Sequence, residues 1–376
     1  MGNSCYDILG ITPDALEKQI KEAYRQKAKE YHPDTYEHAN LPPDIKKELE
    51  RKFAELTDAM EEALDRLQGR SRTDSSSNSG IDVKEKKLPF SISCLEFEPN
   101  NRSLVIGGSS PEAYIWQFGG NIDLEAFKAH SNQIYALRFV LDGDALLTAG
   151  DNKTVRMWRY QKKSEIRRFK GHEDEINCLA TRGNYALSGS DDGNAYIWDC
   201  TTGQRVREFS CSIAGTSINP YVMACAISQD LDFAVTGDDS GEVIIWRTED
   251  GSDIHTIDAH SSEVSSIAFS PNSNVFFTVG DNKTIRIWSC TDGEKLGRLK
   301  GHTDNVNVIA VSENGQLLFS AGDDCTLRIW DIPSATELVC LERHESSITA
   351  LALSPSGRHV ATGSNDGTVC LWRLST

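Results

Sequence analysis

The apolar positions of the chain follow two different periods. From Asp14 to Tyr31 they recur with helical spacing: projected at about 100° per residue, Leu16, Ile20, Ala23, Tyr24 and Tyr31 share one face. Thr12-Pro13 supplies an N-cap followed by proline at the first helical position, and Pro33 cannot continue the helix. A second helix, opened by Pro42-Pro43-Asp44, carries Ile45, Leu49, Phe53, Leu56, Met60, Ala63 and Leu67 on its apolar face, with Gly69 as its stop. Two such faces meeting across a loop predict an antiparallel helical hairpin.

Further along, the pattern becomes that of short strands in repeated units. The stretch from Gly301 to Asp331 opens with Gly-His, runs through an apolar strand pattern, turns at Asp323-Asp324 and ends on Trp-Asp. Tryptophan counts the copies: Trp116, Trp158, Trp198, Trp246, Trp288, Trp330 and Trp372 are spaced by 42, 40, 48, 42, 42 and 42 residues. This period, with Gly-His in front and Trp-Asp behind, resembles the WD-repeat family of β-propellers. The resemblance implies seven blades of four strands.

The predicted architecture is therefore a small all-α domain at 1–68, a polar, serine-rich tether at 69–80, and an all-β seven-bladed propeller at 81–376. The sequence stops just after the Trp372 strand, so the last blade lacks its outermost strand. Aligning Ile92 with Ile176 places that strand at Ile81–Lys86, where it closes the ring and hides exposed strand edges.

Composition narrows the function classes. The net charge of −17 argues against a protein that grasps a nucleic-acid backbone. There is no 18-residue apolar run, so no membrane span is expected. Ten cysteines lie far apart without a C-x-x-C pair, suggesting neither a zinc site nor a disulfide framework. A reducing, cytoplasmic compartment is the expectation, and no cofactor or metal is called for.

Opposite the apolar face of the first helix, Lys18, Lys21, Arg25 and Lys29 form one row of cations, and His32-Pro33-Asp34 follows directly. Together, YDILGI at Tyr6–Ile11, AYRQKAKEYHPD at Ala23–Asp34 and KFAEL at Lys52–Leu56 resemble the J-domain of DnaJ-like co-chaperones. What the resemblance implies is a partner, a DnaK-type (heat shock protein 70) chaperone whose ATP hydrolysis is stimulated. Lys21 and Arg25 would meet an acidic surface of that chaperone, and His32, Pro33 and Asp34 would couple docking to hydrolysis. Two positions depart from the family pattern. Gln26 stands where a cation is common, and Lys27 where an apolar residue is common. A lysine there is expected to lay its stem along the second helix and carry its ammonium to water.

Within the repeats, the resemblance implies that His, Ser/Thr, Asp and Trp hydrogen-bond inside each blade. Complete sets are His172-Ser188-Asp192-Trp198, His302-Ser320-Asp324-Trp330 and His344-Thr362-Asp366-Trp372. Repetition with tryptophan as a fourth member fits a structural network and not a hydrolase triad, and no nucleophile elbow or phosphate loop is present. A binding role falls instead to the seventh residue before each tryptophan: Asp151, Asp191, Asp239, Asp281 and Asp323, with Ser109 and Asn365 completing the ring. The family places this turn on the rim. Five carboxylates around one opening would favour a basic peptide or loop, although aspartate is also good turn chemistry. Residues 88–376 carry 24 basic and 38 acidic side chains, a net −14.

The two modules together read as a non-enzymatic co-chaperone whose propeller recruits a client or partner protein. The alternative is a propeller scaffold of a multiprotein complex that recruits the chaperone for assembly.

Overall fold

A computed structural model describes residues 8–12, 19, 23–24, 26–27, 52, 59 and 83–374, except 119–123, 212–219 and 272–273. The chain divides into two compact units, Met1–Gly80 and Ile81–Thr376.

In the first unit, Ile8 and Leu9 end a helical turn at Gly10, whose φ of +71° suits glycine. Gln19, Ala23, Tyr24, Gln26 and Lys27 are helical, as are Lys52 and Ala59, and Leu9 and Ala59 are buried. Lys27 corrects the expectation drawn from sequence. Its ammonium does not run out to water but donates to the Ile8 carbonyl oxygen at 2.6 Å, in a partly buried setting. The physical reason is the helix end. Carbonyls of the last turn have no partner within the helix and attract a cation. The rest of the predicted hairpin lies outside the described residues.

The second unit is a seven-bladed propeller of antiparallel four-stranded sheets. Innermost strands are Ile92–Phe97, Ile134–Val140, Ile176–Arg182, Val222–Ile227, Val264–Phe269, Val306–Val311 and Ile348–Leu353, which define blades 1 to 7. The two middle strands of each blade alternate core side chains against both neighbours. Ala145–Gly150, for example, is buried at every position. Apolar layers consequently form between blades and not within them, as where Leu147, Phe169, Ile176, Leu179 and Trp198 make one cluster.

Blade 7 is completed from the other end of the propeller sequence. Val83–Lys87 pairs with Thr368–Arg373, in register from Val83 opposite Trp372 to Lys87 opposite Thr368. The chain then enters blade 1 past Leu88, which is buried and donates its backbone N–H to Gly367 O at 2.8 Å. Gly367 has φ +87°, and a Cβ there would lie 2.2 Å from Leu88 O, so only glycine allows this approach.

Candidate functional site

The His-Ser-Asp sets come first, because their residue types invite a catalytic reading. In blade 3, His172 Nδ1 lies 2.9 Å from Asp192 Oδ2 and its Nε2 lies 2.8 Å from Ser188 Oγ, while Trp198 Nε1 donates to that oxygen at 2.9 Å. Blade 6 repeats this with His302, Asp324, Ser320 and Trp330, at 2.8, 2.7 and 2.8 Å. Ser188 and Ser320 are 0% exposed, and each is engaged by both an indole N–H and an imidazole. A hydroxyl so enclosed can meet no substrate. These are buried networks that tie the loop leading into a blade to that blade's middle strands.

The other blades vary the theme. Blades 2 and 5 replace the aspartate by Asn152 and Asn282, whose amides come within hydrogen-bond reach of His130 and His260. Burial, helped by the nearby charges of Arg156 and Arg286, depresses these two imidazoles to about 4. Blade 4 has no histidine at the entry position, and Thr236 accepts from Trp246 at 2.8 Å with Cys211 Sγ 3.6 Å away.

Blade 7 departs from the sequence reading. His344 reaches Thr362 at 2.7 Å and Trp372 donates to the same hydroxyl at 2.8 Å, but His344 Nδ1 is buried with no partner among the described residues. Asp366 accepts from the Thr368 N–H at 2.7 Å and pairs with Lys87 Nζ at 3.2 Å. Asp366 thus carries a partner from the closing strand, and no bond from it to His344 is made.

The rim aspartates sit where each middle strand turns, next to the residue that leads into the innermost strand. Asp191 N donates to Glu175 O at 3.0 Å, Asp239 N to Tyr221 O at 3.1 Å and Asp323 N to Asn305 O at 2.9 Å. Their side chains are not equivalent. Asn177 Nδ2 donates to Asp191 at 2.7 Å, and Asn307 Nδ2 and the Ser347 hydroxyl donate to Asp323 at 2.8 and 2.5 Å. Asp239 is exposed and accepts from the Tyr221 N–H at 2.8 Å. In blades 2 and 5 the position of Asn177 holds Tyr135 and Ser265, and there Asp151 Oδ1 and Asp281 Oδ1 are buried without a partner among the described residues.

The carboxylates also act on one another. Burial raises the Asp191 carboxyl above its ordinary value, the Asn177 bond opposes this, and the charges of Glu175, Asp174 and Asp239 add to it. Glu263 is raised by burial and by Asp239 and Asp281. Tyr135, which donates to Glu175 at 3.0 Å, is pushed up to about 12 by burial and by that acidic company. Below the rim, the innermost strands enclose a cavity of about 160 Å³ lined by Tyr135, Asn177, Met223, Ser265, Asn307 and Thr349 among others, with Arg138 as its cation.

Sequence reasoning put the five aspartates at the turns where the structure has them, and did not single out their neighbours Glu175, Glu263 and Tyr221, the last an exposed aromatic. All three occupy one repeat position, just before the innermost strand, so alignment of the repeats on that position would have found them. The chaperone-docking candidates Lys21, Arg25, His32, Pro33 and Asp34 lie outside the described residues.

Comparison with known proteins gives two family matches. Residues 4–74 match the DnaJ domain. The WD domain, G-beta repeat, matches five times, at 123–159, 163–199, 251–289, 293–331 and 335–373, together about half of the chain. The two unmatched repeats are those with Ile106 in place of Ser/Thr and with no Gly-His entry. Among curated proteins, a "Chaperone protein DnaJ" of Salinibacter ruber is 44% identical over 82 residues, 22% of this chain and 19% of that protein. "GID complex subunit 7" of Schizosaccharomyces pombe is 25% identical over 202 residues, 51% of this chain and 38% of that protein. "DnaJ homolog subfamily C member 7" of Homo sapiens is 33% identical over 123 residues, 30% of this chain and 23% of that protein. The chain therefore spans well under half the length of each of these relatives.

Proposed function

Because the chain belongs to the WD-repeat family and carries a DnaJ domain in front of its propeller, we propose that it is an interaction scaffold that brings a DnaK-type (heat shock protein 70) chaperone to the complex its propeller holds. The fusion itself is the observation that carries this reading. DnaJ domains as a family partner such chaperones and are not themselves catalytic. A propeller is a platform for protein contacts, and one relative of the propeller half is by its name a subunit of a complex. Joining the two raises the effective concentration of chaperone at whatever the propeller binds.

The rim supports a basic segment as the propeller's ligand. Asp151, Asp191, Asp239, Asp281 and Asp323 are joined by Glu175 and Glu263, and burial together with repulsion from neighbouring carboxylates hinders the ionisation of Asp191 and Glu263. An arginine or lysine side chain relieves that repulsion, and the exposed Tyr221 ring beside Asp239 offers a face to the same cation.

A second reading, a general co-chaperone that stimulates ATP hydrolysis while the propeller selects clients, is favoured by the Lys21 and Arg25 row and by His32-Pro33-Asp34, all inside the DnaJ-matched segment. Affinity capture with the 81–376 unit separates the two. One partner in fixed stoichiometry supports the scaffold, and a broad set of unfolded proteins supports the client reading. For the compartment we propose a reducing, cytoplasmic setting, where thiols such as Cys200 and Cys370, pushed by burial to about 12, stay inert.

A further inference from the structure

The seven blades are alike enough that one blade's outermost strand can be judged against the other six. In each, the residue that faces the same point of the third strand plugs the blade's outer core. Phe169 opposite Val155, Phe209 opposite Ala195, Leu299 opposite Ile285 and Leu341 opposite Leu327 are all buried. Phe127 opposite Ala113 and Ile257 opposite Val243 are half-buried but still apolar. In blade 7 the residue opposite Val369 is Lys86.

The closing strand lacks the apolar plug, and charge takes its place. Lys87 Nζ meets Asp366 at 3.2 Å and the Thr368 hydroxyl at 3.1 Å, and Arg343 Nε meets Glu85 at 3.4 Å. The Lys87 side chain is 60% exposed and those of Arg343 and Glu85 are 53% and 45% exposed. Ion pairs so wet hold weakly and yield to salt. Blades 3 and 6 give the equivalent aspartate to their histidine, whereas here Asp366 pairs with Lys87 and His344 Nδ1 is buried without a partner among the described residues. Leu88, buried and bonded to Gly367, marks where the secure part of the chain begins.

We propose that Val83–Lys87 is an exchangeable latch, and that the Thr368–Arg373 edge beneath it accepts an extended segment with phenylalanine or leucine at the Lys86 position. Recognition would be by strand addition: backbone bonds supply affinity, and the outer-core site opposite Val369 selects an apolar side chain. The partner this surface fits is an unfolded or extended peptide. This inference is independent of what the rim binds.

The test uses the full chain. Hydrogen exchange is measured at the amides of Thr368–Arg373 and at the equivalent Asn194–Asp199 of blade 3, in about 0.1 and 0.5 M NaCl. A synthetic peptide of residues 82–88 carrying Lys86→Phe serves as probe, with the unaltered peptide for comparison. The expected result is at least tenfold faster exchange in blade 7, rising with salt, and saturable binding of the Lys86→Phe peptide in preference to the unaltered one. Lys86→Phe in the chain itself should slow blade 7 exchange and block the peptide, and Lys86→Leu gives the same comparison should the phenylalanine variant misfold. Equal, salt-insensitive protection of the two blades overturns the proposal, as does failure of the Lys86→Phe peptide to bind at about 1 mM.

Discussion

Asn307 donates its side-chain amide to Asp323 at 2.8 Å, from the innermost strand to the rim of the same blade. One acidic residue is thereby fixed as part of the fold, and Asn177 fixes Asp191 in the same way. Asp151 and Asp281, at the same repeat position, have a buried oxygen with no such donor. Two of the five aspartates hold the rim together, two have a buried oxygen without a partner among the described residues, and Asp239 is exposed.

That division predicts opposite outcomes for similar substitutions. Asp323→Ala should destabilise the propeller by about 1–3 kcal/mol, because it strands the Asn307 amide and the Ser347 hydroxyl. Asp151→Asn with Asp281→Asn should leave stability unchanged or raised, and should weaken capture of a basic partner. Thermal unfolding and a pull-down with the same proteins check both. Equal destabilisation by the two sets would mean that the rim carboxylates are alike.

Lys27 leads to a prediction within the DnaJ domain. Restoring the apolar residue common in the family, by Lys27→Met, removes the bond to Ile8 O and leaves a helix-end carbonyl without its cation. The substitution should cost about 1 kcal/mol, where a family-average view expects a gain. Hydrogen exchange around Ile8–Gly10 in the full chain reads it. Slower exchange in the variant would show that the ammonium contributes nothing.

The buried histidines set a pH dependence. Burial holds His130, His260 and His344 at about 4, below the ordinary 6.5. Between those values the unfolded chain binds protons that the folded one refuses. Their contribution is therefore complete above about pH 6.5 and is lost as pH falls towards about 4, on the order of 3 kcal/mol per histidine at most. Melting temperature should fall through this window. A flat profile between about pH 7 and 5 would contradict the burial of neutral imidazoles.

Much of the propeller was legible because its signals repeat. Trp116 and Trp246 marked two blades that matching to the repeat family passes over, since Ile106 and the absent Gly-His entry weaken the motif but leave the tryptophan count intact. The alignment of Ile92 with Ile176 pointed to a strand at 81–86, and the strand that pairs with Thr368–Arg373 runs at Val83–Lys87. What could not be read was choice between partners. His344, Thr362, Asp366 and Trp372 have the spacing of a complete set, and nothing in that spacing tells that Lys87, nearly three hundred residues away in sequence, pairs with Asp366. The same holds for Lys27, whose acceptor belongs to another helical turn, and for Asn177, unremarkable as a residue until it is seen beside Asp191. Spacing reports what a blade can form; packing decides which bonds are made.

We propose that this chain joins a working chaperone-recruiting module to a propeller with its own partner. Single-turnover ATP hydrolysis by a DnaK-type chaperone, measured with the full chain and with Asp34→Asn, tests it most directly when the same two proteins are also used to capture the propeller's partner. The expected result is that the full chain accelerates hydrolysis, that Asp34→Asn abolishes the acceleration, and that both capture the partner equally. Undiminished acceleration by Asp34→Asn, or none by the full chain, would contradict it.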